Sequence, residues 1–332
     1  MKLKKALFPT LLLAAALTVS CAIEPPEDEN YSKDRVMKSW MNQYYPGISV
    51  YGDTGAYLLD MERGDGVSIP DSGYVRVHYT KWTLDGTITS TNVEQLVAQL
   101  GEYSPSSWYG GNTWRLDQGY LPVGLEKALK TMRAGGRVKM AIPSSASGHD
   151  YTMYDPFNTN PETSNQVIEV SIDTVIADIY DYQETAMREW FRKNYRVADT
   201  TAEHLYFKKL EEHTEASDTV SEGASVSVRY VGRLMDGHVF DTNIEDTAKF
   251  YRIWDESGNY NALTVSYYKQ NTEQYNQNNS VVAGFGKAVL QMNYNEKAVT
   301  LFSSQLGYGA SGSNPAIPEY SPLVFWLWIE KK

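Results

Sequence analysis

The sequence predicts an α+β protein made of two copies of one module, each a curved antiparallel β-sheet wrapped on a short helix and each preceded by an amphipathic helix. Three observations carry this. The chain resembles itself at a period near 150 residues, the mark of an internal repeat. Both halves contain runs that alternate apolar and polar residues, as half-buried strands do. Between those runs lie segments whose apolar residues recur at helical spacing. At 332 residues the chain is long enough for two modules that each bury a core.

In chain order, Val36-Met37-Lys38-Ser39-Trp40-Met41 matches Ala186-Met187-Arg188-Glu189-Trp190-Phe191, so each copy opens with a short amphipathic helix. Ala56-Tyr57-Leu58-Leu59 pairs with Leu205-Tyr206-Phe207, and Val75-Arg76-Val77-His78-Tyr79 pairs with Val226-Ser227-Val228-Arg229-Tyr230. Both pairs alternate as strands. Asp85-Gly86 then matches Asp236-Gly237, a dipeptide that tolerates positive φ and favours a tight hairpin. Leu125, Ala128, Leu129 and Met132 have helical spacing, as do Phe285, Ala288, Val289 and Met292, which gives each copy one helix across its sheet. Closing strands are predicted at 167–172 and 323–329. The first module is assigned to residues 33–182 and the second to 183–332, with the boundary where a new helix begins.

Val228 to Asp241, containing Tyr230 and ending in Phe240-Asp241, reads as a strand and hairpin. Val281-Val282-Ala283-Gly284-Phe285 opens a helix, and Leu306-Gly307-Tyr308-Gly309 precedes an Ile317-Pro318 turn and the strand Leu323-Val324-Phe325. In this order the four segments resemble an FKBP-type peptidyl-prolyl cis-trans isomerase domain over about 110 residues, from about 220 to 332. The resemblance implies catalytic roles for Tyr230, Phe240, Asp241 and Tyr308, and substrate binding by Val281, Val282, Phe285, Ile317 and Phe325. Tyr308 is expected to donate to a substrate carbonyl, while Asp241 either orients the Tyr230 hydroxyl or biases the field at the twisted bond. Phe285 stands where the family usually has tryptophan, keeping the apolar face without the indole N–H. No metal and no cofactor are implied, and the expected partners are proline-containing polypeptide segments.

The first copy departs from this pattern. Tyr79 keeps the strand tyrosine, but Thr89 and Ser90 replace Phe-Asp, Leu125 replaces the floor aromatic, Pro122 sits at the helix entrance and Ile168 replaces the closing-strand phenylalanine. Residues 143–150 show no clear Tyr-Gly equivalent, although Tyr151 and Tyr154 are near. The first copy is expected to bind peptides weakly, or to space and stabilise the second.

Residues 1–20 read as an export signal: three lysines lie in Met1 to Lys5, then Ala6 to Val19 is almost wholly apolar. A run of 14 residues is too short to span a bilayer stably. The only cysteine, Cys21, follows in a segment that resembles a bacterial lipobox, with Thr18 where an aliphatic residue is usual. Lipidation of Cys21 is expected, since an unpartnered thiol has no internal disulfide to form. Residues 21–32 form an acidic tether, read either as a solvated spacer or as similar to the stretch after the lipidated cysteine in surface-exported lipoproteins of the Bacteroidetes type. These features place the chain in the cell envelope, lipid-anchored to the outer membrane on its periplasmic face or at the cell surface.

Without Lys2, Lys4 and Lys5 the basic count falls from 30 to 27 against 41 acids, leaving about 14 net negative charges. Nucleic acid is thereby excluded as a partner, because a phosphate backbone needs a basic surface. The mature chain would hold to a membrane through Cys21 and not through charge. Gly284-Phe285-Gly286 begins a dinucleotide fingerprint but Val289 stands at its third glycine position, which argues against nucleotide. The five histidines lack ligand spacing, so neither zinc nor a catalytic triad is expected. A Tyr- and Asn-rich insertion at 244–279 suits protein or glycan contact beside the pocket mouth, and also reads as an ordinary long loop. Two functions remain in competition with catalysis: a tethered chaperone that only holds prolyl segments, and a glycan-contacting lipoprotein.

Overall fold

A computed structural model describes residues 29–147, 164–196, 203–268 and 281–331. The expected export signal, Cys21, most of the tether, His149, Tyr151, Tyr154 and residues 269–279 of the insertion lie outside the described residues.

The first module runs α1 (Glu29–Tyr44), β1 (Tyr57–Glu62), β2 (Tyr74–Trp82), β3 (Ile88–Thr91), α2 (Glu94–Gln99), β4 (Asn112–Arg115), α3 (Val123–Leu129), β5 (Arg137–Ile142) and β6 (Gln166–Ile176). The second runs α4 (Ile179–Tyr195), β7 (Leu205–Glu211), β8 (Ser225–Leu234), β9 (Val239–Thr242), α5 (Glu245–Phe250), β10 (Leu263–Ser266), α6 (Ala283–Val289), β11 (Lys297–Phe302) and β12 (Leu323–Glu330). The strand order is β1-β5-β6-β2-β3 with β4 also on β2, and β7-β11-β12-β8-β10 with β9 also on β8. Every pairing is antiparallel. The Asp-Gly hairpins turn on Gly86 at φ +92° and Gly237 at φ +101°, a region that costs glycine little.

Each sheet is buried on both faces at its centre. In β11, Ala298 and Phe302 point into the core that includes Phe285, Ala288, Val289 and Met292 of the α6 segment. Val299 and Leu301, one residue out of phase, pack on the opposite side against Met187 and Phe191 of α4. This two-sided burial explains why β11 reads as a nearly continuous apolar run. Burying Met187 and Phe191 stabilises by about 1.5–3 kcal/mol each. The first module repeats the plan: Leu125, Ala128, Leu129 and Met132 cover one face, while Met37 and Met41 of α1 cover the other.

Four expectations need correction. Helix α1 begins at Glu29, inside the expected tether. Val36, placed on the apolar face by its spacing, is exposed. The insertion at 244–279 is not wholly loop, since α5 opens it and β10 follows. Helix α4 starts at Ile179, where the Asp178 carboxylate accepts from the backbone N–H of Tyr180 at 2.8 Å and of Asp181 at 3.0 Å.

Candidate active site

The site is assembled on β8, the strand between β10 or β9 on one side and β12 on the other. Tyr230 and Gly232 share one face of β8, being two residues apart. Across the sheet Gly232 sits between Asp241 of β9 and Phe325 of β12. A Cβ on Gly232 would lie 2.5 Å from the Phe240 ring and 2.9 Å from Phe325. The missing side chain therefore lets those two rings meet edge-to-face, at 5.5 Å between centroids.

Phe325 is the hub of the aromatic set. Phe285 of α6 meets it edge-on at 5.2 Å, Tyr230 at 6.0 Å, and Phe302 stacks on it at 5.8 Å. Such tilted pairs match the positive ring edge to the negative face. Helix α6 comes this close because Gly284 lies against the Phe302 ring, where a Cβ would stand 2.2 Å away. The chain after β11 then carries Tyr308 and Ile317. Gly312, at φ +62°, closes that loop, and any Cβ there would meet the Ile317 carbonyl oxygen at 2.4 Å.

These elements enclose an open cavity of about 600 Å³. All nine residues singled out in the second copy line it: Tyr230, Phe240, Asp241, Val281, Val282, Phe285, Tyr308, Ile317 and Phe325. Leu263, Ser313 and Ala316 also line it and were not anticipated. Phe285 and Phe325 are buried, whereas Tyr308 is 42% exposed and stands at the mouth. The Tyr230 hydroxyl donates to Asp241 Oδ2 at 2.6 Å, the length of a charge-assisted bond. Burial, joined by the Asp241 charge, holds the Tyr230 phenol well above its ordinary value, and the same two causes raise Tyr308. Both phenols remain O–H donors through neutral pH.

Supports that the sequence did not flag hold this wall in place. The Asn243 side chain accepts from the Tyr230 N–H at 2.9 Å and donates to the Val228 carbonyl at 2.9 Å. Gln183 of α4, buried, donates to Ser304 Oγ and to the Tyr320 carbonyl at 3.0 Å each and accepts from the Ser304 N–H at 2.9 Å. It thus ties both ends of the Tyr308 segment to one helix. The repeat of Asn243 at Asn92 was a signal available in the sequence; Gln183 has none.

In the first module the matching strand positions carry other side chains. Lys81, paired with Ser90 and Ile168, is 8% exposed at the position where the second sheet has Gly232. Trp114 of β4 is 3% exposed and packs on Tyr79 at 5.5 Å. The Tyr79 hydroxyl lies 3.3 Å from Ser90 Oγ, a neutral partner where Tyr230 has a carboxylate. Among the described residues, no group of three or more His, Cys, Asp or Glu could hold a metal ion.

Comparison with known proteins bears on residues 216–329, which match the family model described as FKBP-type peptidyl-prolyl cis-trans isomerase. The chain is 30% identical over 118 residues to FK506-binding protein 1A of Aspergillus fumigatus, covering 36% of this chain and 86% of that protein. It is 27% identical over 129 residues to FK506-binding protein 59 of Drosophila melanogaster, covering 39% of this chain and 24% of that protein. The crystal structure of the three FKBP domains of wheat FKBP73 covers 85% of this chain and 98% of its own at 20% identity, with a TM-score of 0.30.

Proposed function

The chain belongs to the FKBP-type peptidyl-prolyl cis-trans isomerase family, and from that membership we propose that its second module catalyses prolyl isomerisation in the cavity bounded by Tyr230, Phe240, Asp241 and Tyr308. The observation that carries the reading is an open aromatic cavity with one carboxylate at its rim, bonded to a phenol inside it.

The chemistry breaks no covalent bond. Rotation about an X-Pro amide meets a barrier of about 18–20 kcal/mol and takes tens to hundreds of seconds unaided. At the twisted state the amide has lost resonance, so its carbonyl carries less charge than in the planar form. Moving the amide from water into the apolar space between Phe240, Phe285 and Phe325 therefore costs the planar form more than the twisted one. Rings that fit the twisted geometry add differential binding. The exposed Tyr308 hydroxyl is available to a substrate carbonyl, and Asp241 fixes the direction of the Tyr230 hydroxyl. An acceleration on the order of a millionfold needs about 8 kcal/mol from these sources.

The expected experiment is a protease-free isomerisation assay of the full chain on a proline tetrapeptide. Catalysis should be measurable, and Phe240→Ala and Asp241→Ala should each lower kcat/KM about tenfold or more. Equal rates with and without protein would leave a holdase, binding prolyl segments without turning them over.

The proposal extends to the cellular setting. Residues 1–21 support an exported protein anchored through a Cys21 lipid to the outer membrane of a Gram-negative envelope, where it would assist folding of exported proteins. Labelling cells with a fatty-acid analogue should mark the protein and fail to mark Cys21→Ser.

A further inference from the structure

The segment between α2 and β4 of the first module crosses to the second, where Trp108 makes two bonds. Its backbone N–H donates to the Pro315 carbonyl at 2.9 Å. Its indole N–H donates to Asp236 Oδ2 at 2.6 Å. Pro315 belongs to the loop that brings Ser313, Ala316 and Ile317 to the cavity, and Asp236 lies in the turn of the β8–β9 hairpin that brings Phe240 and Asp241. One residue therefore spans two walls of the pocket, its backbone on one and its indole on the other, while its ring packs against the second module's core.

Within the second module the loop carrying Ile317 is tied at its ends by Gln183 to Ser304 and to Tyr320. Ser313 and Ile317 exchange backbone N–H···O bonds of 2.7 and 2.9 Å, which close the loop without fixing its distance from the hairpin. The far end of the loop is also gripped from the first module: Asn112 Nδ2 donates to Glu319 Oε2 at 3.0 Å, and Tyr74 meets Tyr320 edge-on at 5.1 Å.

We infer that Trp108 is a positioning residue for isomerisation by the second module, a staple supplied by the first copy that sets the spacing between the Phe240–Asp241 wall and the Ile317 wall. The inference rests on the isomerase reading above. It gives the first copy a task that needs no pocket of its own. A shift of about 1 Å in a site that grips its substrate can cost on the order of a hundredfold in rate.

The test is the tetrapeptide assay on the full chain, with kcat and KM separated and a melting temperature for each variant. Trp108→Phe keeps most of the packing and removes the indole bond; it should lower kcat/KM roughly threefold to tenfold, mainly by raising KM, because the walls hold the proline ring before it twists. Trp108→Ala should lose more. Asp236→Ala, which also removes the 2.9 Å bond that Asp236 accepts from the His238 N–H, should lose at least as much as Trp108→Phe, and adding Trp108→Phe to it should cost little more, since the two substitutions share the indole–carboxylate bond. Trp40→Phe is the control: that indole donates to the Leu84 carbonyl at 2.8 Å within the first module, so kcat/KM should not change. If Trp108→Ala fails to fold, Trp108→Phe decides. An active parent whose Trp108 variants keep kcat/KM within twofold overturns this inference alone, as does a loss that Trp40→Phe reproduces. An inactive parent overturns the isomerase reading and this inference with it.

Discussion

The two modules keep the same frame and differ in what occupies the middle of it. In both, an asparagine bonds the central strand from the side: Asn92 accepts from Tyr79 and donates to Val77, as Asn243 accepts from Tyr230 and donates to Val228. In both, the preceding threonine donates to that tyrosine's carbonyl, at 3.0 Å from Thr91 and 2.6 Å from Thr242. The opening helices match as well, Trp40 donating to Leu84 and Trp190 to Met235. Against this shared frame, Gly232 faces Lys81, Asp241 faces Ser90, and Val265 faces Trp114 at matched places in the register. Frame and pocket positions are therefore separable: the buried bonds that hold the strands run through the asparagine and threonine, so one copy could change its pocket residues and keep its fold.

Exchange of residues between the copies should break that comparison most sharply at Gly232. Gly232→Lys, which imports the residue of the first sheet, is expected to lower kcat/KM at least about a hundredfold in the tetrapeptide assay, since even a Cβ meets the Phe240 ring at 2.5 Å. A variant with near-parental kcat/KM would mean that Phe240 and Phe325 do not need their contact.

The reverse exchange, Trp114→Val, should destabilise the first module by about 3 kcal/mol through loss of a large buried ring, visible as an earlier thermal transition. Isomerase activity at temperatures below that transition should stay within twofold of the parent.

Asn92→Ala and Asn243→Ala sharpen the shared part of the comparison. Each leaves a strand N–H and C=O without its side-chain partner, at a cost of about 1–3 kcal/mol. The two melting shifts should be similar, but only Asn243→Ala should also lower activity, because only Tyr230 lines the open cavity.

The smallest effect expected is one of pH. Burial, with the Glu184 carboxylate that its hydroxyl meets at 2.8 Å, pushes Tyr206 up to about 12. Its folded form holds the proton more tightly than the unfolded chain, which releases it near the ordinary value of 10. The resulting stability is complete below pH 10 and is lost as pH climbs towards 12. Melting temperatures should therefore be level from pH 7 to 9 and fall above 10, and Tyr206→Phe should flatten part of that fall.

Much of this was legible in the sequence for identifiable reasons. The strands on either side of Gly86 and Gly237 announce themselves by alternation, and Phe285, Ala288, Val289 and Met292 by helical spacing, because both signals are local. The nine lining residues came from the order of four segments resembling a known family. Ser313 and Ala316 escaped because loop residues carry no periodicity, and Leu263 because it lies in an insertion read as a loop. Gln183 and Trp108 could not be read at all. Their partners lie 121 and 128 residues away, at Ser304 and Asp236, and nothing in the local pattern of either segment marks a bond to so distant a residue.

Helix α4 has a practical bearing on how the protein can be divided. It begins at Ile179, is capped by Asp178, and by its first turns already supplies Ile179 to a cluster with Tyr74, Ile176 and Tyr320 and Gln183 to Ser304. A gene fragment starting at codon 183 would open inside this helix, strip its cap and leave Gln183 on a fraying end. One starting near codon 174 would keep the cap but carry away the last residues of the neighbouring strand. The halves are cut from one piece of cloth, and any expression boundary between them takes a thread from one side or the other.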